Sequence, residues 1–182
     1  MTLTTLLTTL MIGGPVEALV PPEPTLCSVG ALRQNPDGYH WPVANVERFV
    51  VEADVVVRAV AVGAETEAGS DRYASTVRFR TVEVLSGAPD RGDLVFPGII
   101  VDHADFNEGS VPYQIVRAAG QRGDCYAREY RTGGEYLFLL RDDEASLTPH
   151  WAPLAPTNEE IRGEDDPWVA WVRNRLEQPA GE

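Results

Sequence analysis

The chain has 182 residues, 43% of them hydrophobic, which is enough for one domain whose core does not depend on cross-links. Its formal net charge is −13, and all 15 of its basic residues are arginine. That balance argues against nucleic acid and against anionic membrane surfaces, which both reward basic patches, and it favours cationic partners.

Residues 1–18 read as a signal peptide. Leu3, Leu6, Leu7, Leu10, Met11 and Ile12 form a short apolar run, and Val16-Glu17-Ala18 places small residues where a signal peptidase cuts. The run is too short and too interrupted to span a bilayer. Residues 19–44 carry Pro21, Pro22, Pro24, Pro36 and Pro42 and read as an extended lead-in. Asn45 is expected to cap a short helix whose Val46, Phe49 and Val50 share one face.

Residues 54–63 are dense in β-branched side chains and predict a largely buried strand. A loop over 63–74 follows. In the next strand, 75–85, Val77 and Phe79 share a face against Arg78 and Arg80, and the apolar face then moves to Val82 and Val84. A bulge near Thr81-Val82 accounts for the change of parity and lets the strand curve. Ser86–Gly92 is a turn. A third strand is expected over 93–101, broken or at an edge where Pro97-Gly98 falls. An acidic loop runs from Asp102 to Ser110, and the segment around Cys125 leads through a Gly133-Gly134 turn into a buried strand over 135–141. Leu147 to Leu154 is a last extended piece.

The tail reads as helical. Thr157 with Glu160 forms a capping-box pattern, and Asp166 caps a second helix with Pro167 at its first position. Trp168, Trp171, Val172 and Leu176 recur at helical spacing, so the aromatic stripe is expected to pack inward. The fold class is therefore mainly β: a five-stranded OB-type barrel over 45–155, with a short N-terminal helix and C-terminal helices (156–178) packed on it. A β-sandwich is the alternative.

Two lone cysteines so far apart, Cys27 and Cys125, suit an extracellular disulfide better than a metal site or a redox pair. In the chain-entropy model a loop of this length stabilises by at most ~4–5 kcal/mol. The loop holding Asp102, Asp105, Asn107 and Glu108 groups oxygen ligands of the kind calcium takes, although their spacing is not that of an EF-hand. His40, His103 and His150 are scattered, without zinc-ligand spacing and without a local signature linking them to Cys125 as a nucleophile. The triplets Arg91-Gly92-Asp93 and Arg122-Gly123-Asp124 fall at turns, where these residue types are expected in any case. No catalytic residue and no cofactor is assigned.

The run Ala53-Asp54-Val55-Val56-Val57-Arg58-Ala59, followed by Val77 through Gly87, resembles the first two barrel strands of netrin-like domains, a superfamily that includes the tissue inhibitors of metalloproteinases. Cys27, Cys125 and Gly134-Glu135-Tyr136-Leu137 match the positions of the family's bridged cysteines and of the strand that follows. The resemblance covers roughly residues 27–155. It implies an OB barrel acting as a secreted or periplasmic, non-enzymatic binding module for a protein or matrix partner. Such a module would be monomeric and not membrane-embedded.

The expected contact region is the barrel edge formed by Ser28 and Val29, the loop residues Glu65, Glu67, Asp71 and Arg72, and Tyr126 beside Cys125. The family's inhibitors chelate the protease zinc through an N-terminal Cys-x-Cys run. Here Cys27-Ser28-Val29 lacks the second cysteine, and cleavage after Ala18 leaves eight residues, 19–26, ahead of the first. Metalloprotease inhibition through the Cys27 segment is the alternative function, and a calcium-dependent or hydrolytic secreted protein is a further one.

Overall fold

The computed structural model describes residues 40–65, 75–89, 92–122, 125–143 and 146–178. In chain order they form α1 (Val43–Glu52), β1 (Val55–Glu65), β2 (Thr76–Ser86), β3 (Asp93–Pro97), β4 (Ile99–Val101), α2 (Ala118–Gln121), β5 (Glu129–Arg131), β6 (Glu135–Asp143), β7 (Ser146–Thr148), β8 (Asn158–Ile161) and α3 (Pro167–Glu177). The protein is mainly β. A six-stranded antiparallel sheet has the order β3-β2-β1-β6-β7, with β8 also paired to β6. β4 and β5 form a separate parallel pair.

Both faces of this sheet are covered, which explains the unbroken apolar runs in its two central strands. One face of β1 and β6 presents Val57, Ala59, Tyr136 and Phe138 to a cluster that also holds Val77, Phe79, Leu94, Phe96 and Tyr130. Phe79 is its hub, with its ring 4.8 Å from that of Tyr130 and 5.0 Å from that of Phe138, edge to face in both cases. The opposite face presents Val56, Leu137 and Leu139 to the two longer helices, through Val46, Phe49 and Val50 of α1 and Trp168, Val169 and Val172 of α3. A third, smaller cluster joins Val116, Ala119, Cys125, Ala127 and Leu154.

The expected bulge is present. Glu83 pairs with Arg58 and Thr81 with Ala59, so Val82 is the extra residue in β2. Val84 consequently stands opposite the core residue Val57. Val82 and Val84 nevertheless remain 51% and 44% exposed, because β3 pairs only with Thr76–Arg80 and, among the described residues, leaves the second half of β2 without a strand on that side. The predicted break at Pro97-Gly98 divides the third strand into β3 and β4. Gly98 is required there, since a Cβ would lie 2.5 Å from the Tyr130 ring and 2.6 Å from the Arg128 carbonyl oxygen.

Three expectations are corrected. Asn45 lies inside α1, which starts after Pro42 without a side-chain cap. The extended piece expected over 147–154 is strand only at Ser146–Thr148. The capping-box pattern at Thr157 and Glu160 starts no helix, because Asn158–Ile161 is β8, buried along its whole length. The second tail signal holds: Asp166 accepts from the Trp168 N–H, Pro167 opens α3, and Trp168 is fully buried with Trp171 stacked on it at 5.1 Å.

Candidate functional site

A buried polar cluster forms where β8, β5 and the segments around Asp105 and Arg117 meet. β8 contributes Asn158, Glu159 and Glu160 in succession, each at most 2% exposed. A strand turns alternate side chains to opposite faces, so a burial this complete demands polar partners on both sides.

Arg117 supplies most of them on one side. Its side chain has no exposed surface, and its Nη1 donates to Asp105 Oδ2 at 2.8 Å. Its Nε donates to the Asn158 carbonyl at 3.0 Å, and its backbone N–H donates to Glu159 Oε1 at 3.0 Å. The guanidinium carbon lies 5.4 Å and 5.3 Å from the ring centroids of Tyr130 and Tyr136. Among the described residues Arg117 Nη2 has no hydrogen-bond partner, so the ring faces answer that end of the cation.

The second Glu159 oxygen and both Glu160 oxygens are also occupied. Glu159 Oε2 accepts from Asn107 Nδ2 at 3.0 Å. Glu160 Oε2 accepts from the Asp105 N–H at 2.7 Å, and its Oε1 accepts from Arg131 Nε and Nη2. Asp105 Oδ2 additionally accepts from the Ala119 N–H at 2.9 Å. Burial dominates the titration of this region. It pushes the Glu159 carboxyl up to about 8, against the opposing pull of Arg117 and the Asn107 hydrogen bond. It pushes the Tyr130 hydroxyl up to about 12, lowers His150 to about 4 with help from the Arg128 charge, and raises Tyr136. Tyr130 Oη accepts from Asn158 Nδ2 at 2.7 Å and lies 3.4 Å from His150 Nε2, which extends the network toward the surface.

A second network ties the sheet to α3. Arg58, 5% exposed, donates through Nε to Glu135 Oε1 at 2.7 Å and is paired with Glu83, which also accepts from Arg173 of α3 at 2.7 Å. Burial alone would raise the Glu83 carboxyl, but the hydrogen bonds from Arg58 and Arg173 outweigh it and hold the group below the usual carboxylate range.

The sequence-predicted positions separate. Cys27, Ser28, Val29, Glu67, Asp71 and Arg72 lie outside the described residues. Glu65 ends β1 and is ion-paired with Arg78. Cys125 is buried with φ 62°, and Tyr126 packs its ring 5.6 Å from that of His150. The four oxygen-bearing residues proposed for calcium diverge. Asp105 and Asn107 turn inward to Arg117 and Glu159, whereas Asp102 is fully exposed and Glu108, 82% exposed, pairs with Arg162. Among the described residues no group of three or more His, Cys, Asp or Glu side chains is placed to hold a metal ion, and no helix is long and apolar enough to cross a membrane.

The sequence alone assigns no role to Arg117 or Glu159, and to Glu160 only that of a helix-cap partner. The one signal at that place, the Thr157–Glu160 spacing, pointed to a helix cap, and nothing local marks a charged residue as buried. Comparison with known proteins finds no matching family model, no matching curated protein and no matching solved structure.

Proposed function

We propose that the chain is a secreted, non-enzymatic binding module with a netrin-like, OB-type barrel stapled by Cys27 and Cys125. One observation carries this reading. The Gly134-Glu135-Tyr136-Leu137 stretch opens β6, which lies between β1 on one edge and β8 on the other. Hydrogen-bonded neighbours thus run β3-β2-β1-β6-β8, and a parallel bridge between Phe106 and Glu160 brings the chain beyond β4 back to β8. A partly open five-stranded barrel would use this neighbour order, which is what supports the reading. The partner, a protein or matrix component, would dock on the edge formed by the Cys27 segment, the 63–74 loop and the approach to Cys125, with Glu65 and Tyr126 at its margins.

The first test is the intact mass of the exported protein with and without reductant. A chain starting near Leu19 and two protons lighter than its reduced form is the expected result. A free-thiol protein retained in the cytoplasm would overturn the reading. A chain starting at Cys27 would favour zinc-directed protease inhibition instead. Replacement of the 63–74 loop and of the Cys27 segment should then abolish partner capture by the exported module.

A further inference from the structure

The buried cluster contains more negative than positive charge. Asp105, Glu159 and Glu160 are 9%, 0% and 2% exposed. Among the described residues, Arg117, fully buried, and Arg131, with a side chain 35% exposed, are the two cations whose side chains pair with them. Three carboxylates against two guanidinium groups leave one negative charge in excess, in surroundings where an uncompensated charge is costly.

The groups behind the cluster do not supply the missing cation. Tyr113 faces both Glu159 and Asp166, and its hydroxyl is pushed up to about 12 by burial and by these two carboxylates. Asp166 is occupied by the N–H groups of Arg162 and Trp168. The Arg162 side chain pairs outward with Glu108 and stacks on Phe106. On the far side His150 is held neutral, and Arg128 lies over Tyr126. Charge balance is reached if one carboxyl keeps its proton. Glu159 is the most deeply buried of the three and the one without a guanidinium hydrogen bond to its own oxygens. Its elevated titration agrees with this.

We propose that this cluster holds one proton at neutral pH, on Glu159, and that losing it in alkaline solution loosens the 105–117 segment from β8. The link between proton and segment is direct. The backbone N–H groups of Asp105, Arg117 and Ala119 donate to the carboxylates of Glu160, Glu159 and Asp105. With the proton gone, the excess charge must be solvated. The segment can lift to admit water, whereas β6 and β1 are locked in the sheet. The result is a pH-sensitive latch on one side of the fold, independent of whichever partner the module binds.

Two measurements on the intact chain test it. The side-chain carboxyl carbon of Glu159, followed by NMR, should titrate near neutral or alkaline pH. None of the three carboxyls titrating above about pH 6 would overturn the proposal. Hydrogen exchange should show the Asp105, Arg117 and Ala119 amides losing protection by up to about tenfold per pH unit as pH rises toward that transition and levelling off above it, once intrinsic exchange is divided out, while between about pH 4.5 and pH 6.5 the β1 and β6 amides hold theirs. Glu159→Gln cannot release a proton and should abolish this dependence. Amides of the segment that keep step with those of β1 and β6 across the range would also overturn it.

Discussion

Arg117 is the residue on which the polar interior depends. It neutralises Asp105, holds the Asn158 carbonyl and lies over two tyrosine rings. Replacing it by methionine keeps much of the volume but strands the Asp105 carboxylate and the Asn158 carbonyl. A loss of about 3–5 kcal/mol is expected by denaturant unfolding, the usual cost of breaking a buried charge pair. The pH dependence of stability follows from two opposed groups. Glu159 titrates at about 8 in the fold against an ordinary 4.5, so the folded state retains its proton longer and stability falls as pH rises from about 4.5 to about 8. His150 titrates at about 4 against 6.5, so the folded state binds its proton later and stability falls as pH drops from about 6.5 to about 4. Where the windows overlap, the two slopes cancel. Unfolding free energies should therefore be flat between about pH 4.5 and pH 6.5 and decline above that range, and His150→Gln should tilt the flat region downward with rising pH.

At the scale of elements, β8 and α3 show how local signals can fail or hold. The spacing of Thr157 and Glu160 would suit a helix start, yet Glu159 and Glu160 take backbone N–H groups from Arg117 and Asp105, segments distant in sequence, and the strand forms. Tertiary hydrogen bonds that satisfy buried donors outweigh a cap of about 1 kcal/mol. Asp166 has no such competitor. Its carboxylate accepts from the N–H groups of Trp168 and Arg162, and the Pro167 turn continues into a buried face. Asp166→Ala should cost about 1–2 kcal/mol, and Trp168→Ala about 3–5 kcal/mol, in thermal or denaturant unfolding. Gly98→Ala belongs to this scale too. Its methyl would meet the Tyr130 ring and the Arg128 carbonyl, so the β3–β4 break would have to move, and a loss of about 1–3 kcal/mol is expected.

For the whole molecule, the two-faced sheet is what the separate clusters share. The alternation in β1 and β6 assigns Val57, Ala59, Tyr136 and Phe138 to one core and Val56, Leu137 and Leu139 to the other. The Arg58–Glu83–Arg173 network fixes α3 to the sheet at the margin of the second core. If Cys27 and Cys125 are bridged, reduction should lower stability by up to ~4–5 kcal/mol, read as a shift in the denaturant midpoint between oxidised and reduced protein. An unchanged midpoint would remove the staple from the account.

Local sequence was enough for the mainly β class, the bulge at Val82, the break at Gly98, the Gly133-Gly134 turn before β6 and the capped helix of the tail. Each of these is set by local means: β-branched density, a parity change, a residue without a side chain, or a carboxylate beside a proline. Contacts between distant parts of the chain put Asn158, Glu159 and Glu160 inside, turn Asp105 and Asn107 away from solvent, and leave Val82 and Val84 exposed on a half-paired strand. Burial of a charge depends on which partner reaches it through space. Arg117 and Glu159 are 42 positions apart in the chain, and no local pattern carries that information.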